Sequence, residues 1–246
     1  MKLNCRFIEP RRLGQTCVLA LLLLCSSLLA QAPYLAPGRP DGIALLAAPP
    51  EPGSAEEAAD LAIARSVFQG RTPEELHRAK KDYGLSLFLF APAIGEAFQP
   101  GKFPKTEAVY AKVKASIGNA IDTPKNHWKR KRPYLLDPQL ALGDPEPSFS
   151  YPSGHSARGT VYALLAAEIF PEKKEGILAI GRTLGWDRVL IGKHFPTDVQ
   201  AGRVLGQAIF RELSASPAFQ SDLAAAKAEV QAGLALGAKS GVAPGR

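Results

Sequence analysis

Three short stretches of the 246-residue chain hold most of its reactive polar side chains. The first runs Lys125-Asn126-His127-Trp128-Lys129-Arg130-Lys131-Arg132-Pro133, the second Ser150-Tyr151-Pro152-Ser153-Gly154-His155-Ser156, and the third from Trp186 to Asp198. A tetrahedral oxyanion needs cationic donors, backbone N–H groups from a small-residue turn, and a nucleophile facing the leaving group. Lysine offers a point charge, and the planar arginine fork can donate two bonds to a pair of phosphoryl oxygens. Lys125, Arg132 and Arg188 are the candidates for that work. Pro152-Ser153-Gly154-His155 falls where a helix should begin, so its N–H groups and the helix dipole form an anion seat. Ser153 adds a hydroxyl there, and Gly154 lets the backbone come close.

Two histidines are left to share the chemistry. The spacing His194-x-x-x-Asp198 can put both side chains on one helical face, where the carboxylate would fix the imidazole tautomer and raise its nucleophilicity. His155 could protonate a departing alkoxide. Taken singly, each feature has a plainer reading. Lys129-Arg130-Lys131-Arg132 alone reads as a solvated basic face or a nucleic-acid patch, and a lone His/Asp pair as a surface hydrogen bond. Asp198 also suits the first turn of a helix opening near Thr197. His127 and His77 read as packing or surface residues. The residues alone leave open which histidine attacks.

In order and together, the three stretches resemble the phosphatidic acid phosphatase type 2 (PAP2) and vanadium haloperoxidase superfamily, with its K-x6-RP, PSGH and SR-x5-H-x3-D pieces. Lys125 to Arg132-Pro133 matches the first piece, Pro152 to His155 the second, and Arg188, His194 and Asp198 the third. Within that superfamily the chain is similar to the secreted class A non-specific acid phosphatases. The resemblance implies an all-α, single-domain helical bundle and an exported, metal-independent acid phosphatase acting on a broad range of phosphate monoesters. It makes His194 the nucleophile that forms a phosphohistidine, Asp198 its support and His155 the proton donor, while Lys125, Arg132, Ser153, Gly154 and Arg188 hold the phosphoryl oxygens. It implies no cofactor and no metal, and inorganic phosphate or vanadate as competitive ligands. One departure is plain: Asp187 stands where the family has serine, and a carboxylate there could hold or partly neutralise Arg188. His155 must be protonated while His194 is neutral, so the activity should be bell-shaped in pH with an acidic-to-neutral optimum.

The elements that must position these residues read as helices. Ser54 before Ala55-Glu56-Glu57, and Thr72-Pro73-Glu74-Glu75, are helix-start patterns, the first helix running to about Phe68. The second runs into Leu85 to Phe90, which the helical reading also covers, with Pro92 breaking or kinking it. Val109, Val113, Ile117 and Ile121 recur at four-residue spacing, predicting one helix from Thr106 to about Lys125. Four more helices are predicted, at about 153–170, 172–192, 197–214 and 217–236. No hairpin signals or internal repeat stand out.

Residues 1–32 read as a secretory signal, with Lys2, Arg6, Arg11 and Arg12 ahead of an apolar run to Ala30 and a small-x-small site at Ala30-Gln31-Ala32. The expected compartment is the periplasm. Cys5, Cys17 and Cys25 would leave with that segment, so the mature chain would have no disulfide or cysteine nucleophile. Removing its four basic residues and Glu9 leaves 26 basic and 22 acidic residues, a mild net +4 over 214 residues. Residues 33–53 read as a Pro-rich extended arm, 54–236 as the catalytic domain and 237–246 as a fraying tail. A PAP2-type lipid phosphatase is an alternative, but a mean hydropathy of −0.05 leaves no set of membrane spans. A vanadate-dependent haloperoxidase is another, although such chains are much larger. A basic helical nucleic-acid-binding protein would use Lys125 to Arg132 as its footprint but leaves the other two stretches unexplained. No nucleic-acid partner is therefore expected.

Overall fold

The computed structural model describes residues 33–81 and 84–239, and among these every regular element is helical. The predicted secretory segment and residues 240–246 of the predicted tail lie outside them. Eight helices of nine or more residues occur among the described residues. They are α1 (Ala55–Gly70), α2 (Pro73–Lys81), α3 (Pro104–Ser116), α4 (Gly118–Trp128), α5 (Gly154–Ile169), α6 (Lys174–Leu190), α7 (Pro196–Ala215) and α8 (Pro217–Lys239). The last extends past the predicted end, so the chain stays helical through residues 237–239.

Local chemistry sets the helix starts. Ser54 Oγ accepts the Glu57 N–H at 3.1 Å, and Thr72 and Glu75 bond each other reciprocally at 2.9 and 3.2 Å, a capping box. Two predicted helices differ from expectation. The segment Leu85–Phe90 does not continue α2; Leu87–Phe90 is a 3-10 turn followed by one α-turn, Ala91–Ile94. Pro92 sits in the first turn of that α-turn, where its missing N–H costs nothing, so it opens a turn rather than breaking a helix. The predicted helix over 106–125 is two helices, α3 and α4, which meet at Ile117. Ile117 keeps right-handed backbone, so the stripe of Val109, Val113, Ile117 and Ile121 still lies wholly in the core.

α5 is the centre of the molecule, with 11 of its 16 residues buried, and it packs against both α6 and α7. Small residues let these helices approach. A Cβ on Gly181 of α6 would stand 2.5 Å from Ala163 Cβ, and one on Gly202 of α7 would stand 2.5 Å from the Ser153 carbonyl oxygen. The start of α7 therefore rests on the start of α5, and the Ser153 N–H donates to the Asp198 carbonyl at 2.9 Å. The Pro-rich arm is anchored too: Tyr34, Leu35 and Leu46 are buried, and the Tyr34 hydroxyl donates to Asp222 Oδ2 at 2.6 Å. No helix among the described residues is long and apolar enough to cross a membrane.

Candidate active site

Lys125 lies in the last turn of α4, which ends at Lys129 in left-handed backbone. Beyond it the chain is extended and burial alternates: Lys129 and Lys131 are exposed, Arg130 and Arg132 buried. The run is thus not one basic face, because a two-residue period sends its arginines inward and its lysines to water. Arg188 lies in the last turn of α6. The turn that follows uses Gly192 at φ +68, where a Cβ would also collide with the Leu140 carbonyl oxygen. Lys193 and His194 both donate their N–H groups to the Arg188 carbonyl, at 2.9 and 3.2 Å.

His194 and Asp198 do meet, but not along a helical face as the spacing suggested. Phe195 is the N-cap of α7 and Pro196 its first residue, so His194 stands ahead of the helix. Asp198, at N3, turns back to accept the Phe195 N–H at 3.0 Å, and this places its Oδ2 3.3 Å from His194 Nδ1. A neutral imidazole that donates from Nδ1 presents the Nε2 lone pair on its other side. That atom faces Arg132 Nη1 at 3.3 Å. His194 is fully buried, and burial together with the charges of Arg132, Lys125, Arg188 and His155 holds its pKa well below the ordinary imidazole value. The shift favours the neutral form of the ring.

The predicted cations converge on the same place. Arg132 Nη1 donates to the Lys193 carbonyl at 2.8 Å and its Nε to the Ser148 carbonyl at 2.9 Å. Arg132 Nη2 pairs with Glu146 Oε2 at 2.7 Å, and Arg188 Nη2 pairs with the other oxygen, Oε1. Lys125 Nζ donates to the Phe149 carbonyl at 2.6 Å, and its Cε lies 3.5 Å from where a Gly154 Cβ would stand. Burial, reinforced by Arg132, lowers the Lys125 pKa to about 7. Ser153 is the N-cap of α5, its hydroxyl accepting the Ser156 N–H at 3.3 Å, and it still has a proton to donate. His155 is half-buried in the first turn of α5.

Asp187 pairs with Arg78, and the charge of Arg188 also bears on it. Its buried carboxylate takes two nitrogens of Arg78 from α2, Nη2 at 2.8 Å and Nε at 3.2 Å. His127 and His77 are exposed, and His127 packs edge-on against Trp128. Among the described residues no group of three or more His, Cys, Asp or Glu side chains converges as a metal site.

Four residues outside the predicted set complete the arrangement. Arg130, stacked on the Phe195 ring at 3.9 Å, donates to Asp198 Oδ1 at 2.7 Å and to Asp60 Oδ2 at 2.8 Å. Asp60 comes from α1. Ser150 donates its hydroxyl to Asp198 Oδ2 at 2.5 Å and lies 3.4 Å from His194 Nδ1. Glu146 bridges the two arginines. Asp198 thus accepts from Arg130, Ser150 and Phe195, which fixes the carboxylate that faces the imidazole. Ser150 sat inside the second motif and was legible as a polar neighbour of it. The arginine of the basic run, an acid in mid-helix and an acid in a Pro-rich loop carry no sequence signal of this role.

Residues 108–220 match the family model described as the PAP2 superfamily, a span that contains all three motifs. The chain is 33% identical over 202 residues to the non-specific acid phosphatase of Providencia stuartii, covering 77% of this chain and 80% of that one. It is also 33% identical over 148 residues to the non-specific acid phosphatase of Salmonella typhimurium, covering 58% of this chain and 59% of its relative. A transmembrane PAP2 type phosphatidylglycerolphosphate phosphatase from Bacillus subtilis superposes with a TM-score of 0.47 at 24% identity, over 80% of this chain and 94% of that structure.

Proposed function

The chain belongs to the PAP2 superfamily, where its relatives are non-specific acid phosphatases, and from that premise we propose a two-step in-line transfer through His194. It is a phosphatase, and the observation that best supports this route is the orientation of the His194 ring. Nδ1 is turned to Asp198, and Nε2 to the arginine that would hold the phosphoryl group.

A phosphate monoester places its unesterified oxygens on Arg132, Arg188, Lys125 and the N–H groups opening α5. His194 Nε2 attacks phosphorus; the N–P bond forms as the P–O bond to the alcohol breaks, and His155 passes its proton to the departing oxygen. The positive charge this creates on the imidazole is met by Asp198. Water then gives its proton to His155 and attacks phosphorus from the vacated side, which breaks the N–P bond and returns His194 with inorganic phosphate. The cations, largely buried themselves, act where charge builds up in the transition state. Turnover needs a neutral His194, the form its lowered pKa favours, and a protonated His155, so the activity is bell-shaped in pH with an acidic-to-neutral optimum.

The substrate reading is a broad range of monoesters, with phosphate and vanadate as competitors. The basic and apolar residues of segment 1–32 support export to the periplasm. The test is hydrolysis of p-nitrophenyl phosphate in EDTA by the wild type and by His194→Ala. Turnover that survives chelation and falls at least about 1,000-fold in the variant is expected. Turnover retained by the variant would remove the nucleophile, and turnover lost on chelation would remove the metal-free route.

A further inference from the structure

The loop from Ala141 to Phe149, between the first and second motifs, supplies partners to Lys125, Arg132, Arg188 and Lys193. Lys193 Nζ donates to the Asp144 carbonyl at 2.6 Å, Lys125 Nζ to the Phe149 carbonyl at 2.6 Å, and Arg132 to both the carbonyl and hydroxyl of Ser148. At its centre Glu146, whose side chain is only 11% exposed, gives one oxygen to Arg132 and the other to Arg188. Its backbone is held by Tyr134, whose hydroxyl accepts the Glu146 N–H at 3.0 Å. A carboxylate spanning two arginines beside the nucleophile reproduces the contact that two phosphoryl oxygens would make there.

We propose that Glu146 is an internal competitor for the phosphoryl group, holding Arg132 and Arg188 until phosphate or a phosphate ester displaces it. This inference rests on the phosphatase reading of the site. A ligand reaches Arg132 and Arg188 only in the fraction of molecules whose Glu146 has let go, so the apparent affinity is the intrinsic one reduced by that fraction. A diester presents two unesterified oxygens and one negative charge, which is what Glu146 already presents, and exchanging one for the other gains little. A monoester dianion brings a second charge and a third oxygen, and these reach Lys125 and the N–H groups at the start of α5 that Glu146 leaves unused. The seat itself therefore prefers the dianion, while the cost of moving Glu146 falls equally on both esters.

The full chain tests this with Glu146→Gln and Glu146→Ala. The inhibition constant of inorganic phosphate and the ratio of kcat/KM for p-nitrophenyl phosphate to that for bis(p-nitrophenyl) phosphate are the two readouts. The phosphate constant is expected to fall at least fivefold and the ratio to stay within about twofold, because losing the competitor raises both kcat/KM values alike. A phosphate constant equal to or higher than the wild type's, in a variant that melts at the wild-type temperature, overturns the competition; so does a ratio that shifts as far as the constant, since a shared release step cannot separate the two esters. Should both variants misfold, hydrogen exchange in the wild type decides: saturating inorganic phosphate must speed exchange in residues 141–149, and equal or slower exchange refutes the proposal. Wild-type protein inert towards p-nitrophenyl phosphate would instead bring down the phosphatase reading, an outcome distinct from active protein whose phosphate constant ignores residue 146.

Discussion

Arg130 Nη1 lies 2.7 Å from Asp198 Oδ1, and the other arm of the same guanidinium lies 2.8 Å from Asp60. Both carboxylates are buried, so the arginine is the charge that pairs them inside the protein, and it fixes the rotamer of the one that faces His194. Arg130 touches no part of the phosphoryl seat described above and acts through Asp198. Arg130→Lys keeps the charge but loses the fork, so it can satisfy only one of the two acids. We expect kcat to fall roughly 10- to 100-fold while KM moves little, because the loss is in transition-state support rather than in uniform binding. Asp60→Asn, which keeps a hydrogen-bond acceptor for Arg130, should retain most of that activity. Steady-state kinetics on the two variants check this, and a large rise in KM in Arg130→Lys would count against the positioning role.

Lys125 gives a pH dependence with a definite sign. With its pKa lowered to about 7 by burial, it is charged below that pH and neutral above it. Arg132, Asp198, Glu146 and Asp122 all act on it, Arg132 against the charge and the acids for it. Sulfate stays a dianion through this range, so its inhibition constant should rise with pH above about 7, by up to about tenfold per pH unit for each proton linked to binding. Lys125→Met should bind sulfate more weakly below pH 7 and show a slope shallower by one proton above it. For stability the sign is opposite to that of a salt-bridged lysine. Between about 7 and 10.5 the folded chain binds fewer protons than the unfolded one, so this residue's contribution to stability rises with pH across that window.

Asp187 bears on stability more than on binding. Its carboxylate accepts from Arg78, whose side chain is 40% exposed, and the pair ties α2 to α6. Asp187→Ser should leave the inhibition constant of phosphate within about twofold while lowering stability by about 1–3 kcal/mol, the usual worth of a hydrogen bond to a charged group. Thermal melts alongside inhibition curves separate the two effects.

The contact of α7 with the start of α5 admits no side chain at Gly202. Gly202→Ala must push the helices apart, at about 1–3 kcal/mol for overpacking, and the shift moves Ser153 away from Asp198, whose carbonyl takes its N–H. Activity and melting temperature are expected to fall together. Wild-type activity in the Gly202→Ala variant would mean that the helix contact does not set the site's geometry.

How much of this was legible beforehand follows physical lines. Ser54 and Thr72 announced α1 and α2 because a cap is a local interaction between neighbours in sequence. The stripe from Val109 to Ile121 marked the core, but the break at Ile117 left no trace, since that residue stays in right-handed backbone and the apolar spacing carries on. Asp198 was read as both a first-turn carboxylate and a histidine partner, and it is both. The His194 to Asp198 spacing was right for the wrong geometry: the chain folds back at a helix start instead of running along a helix. Arg130, Asp60 and Glu146 escaped because each partnership joins residues far apart in sequence. Only packing brings them together.

The most direct measurement is to quench wild-type protein during turnover of 32P-labelled phosphate monoester and map the label. The account predicts a phosphoramidate, stable in base and labile in acid, on the peptide carrying His194, and no label in His194→Ala. Label on a serine, or labelled and turning-over His194→Ala protein, would contradict it.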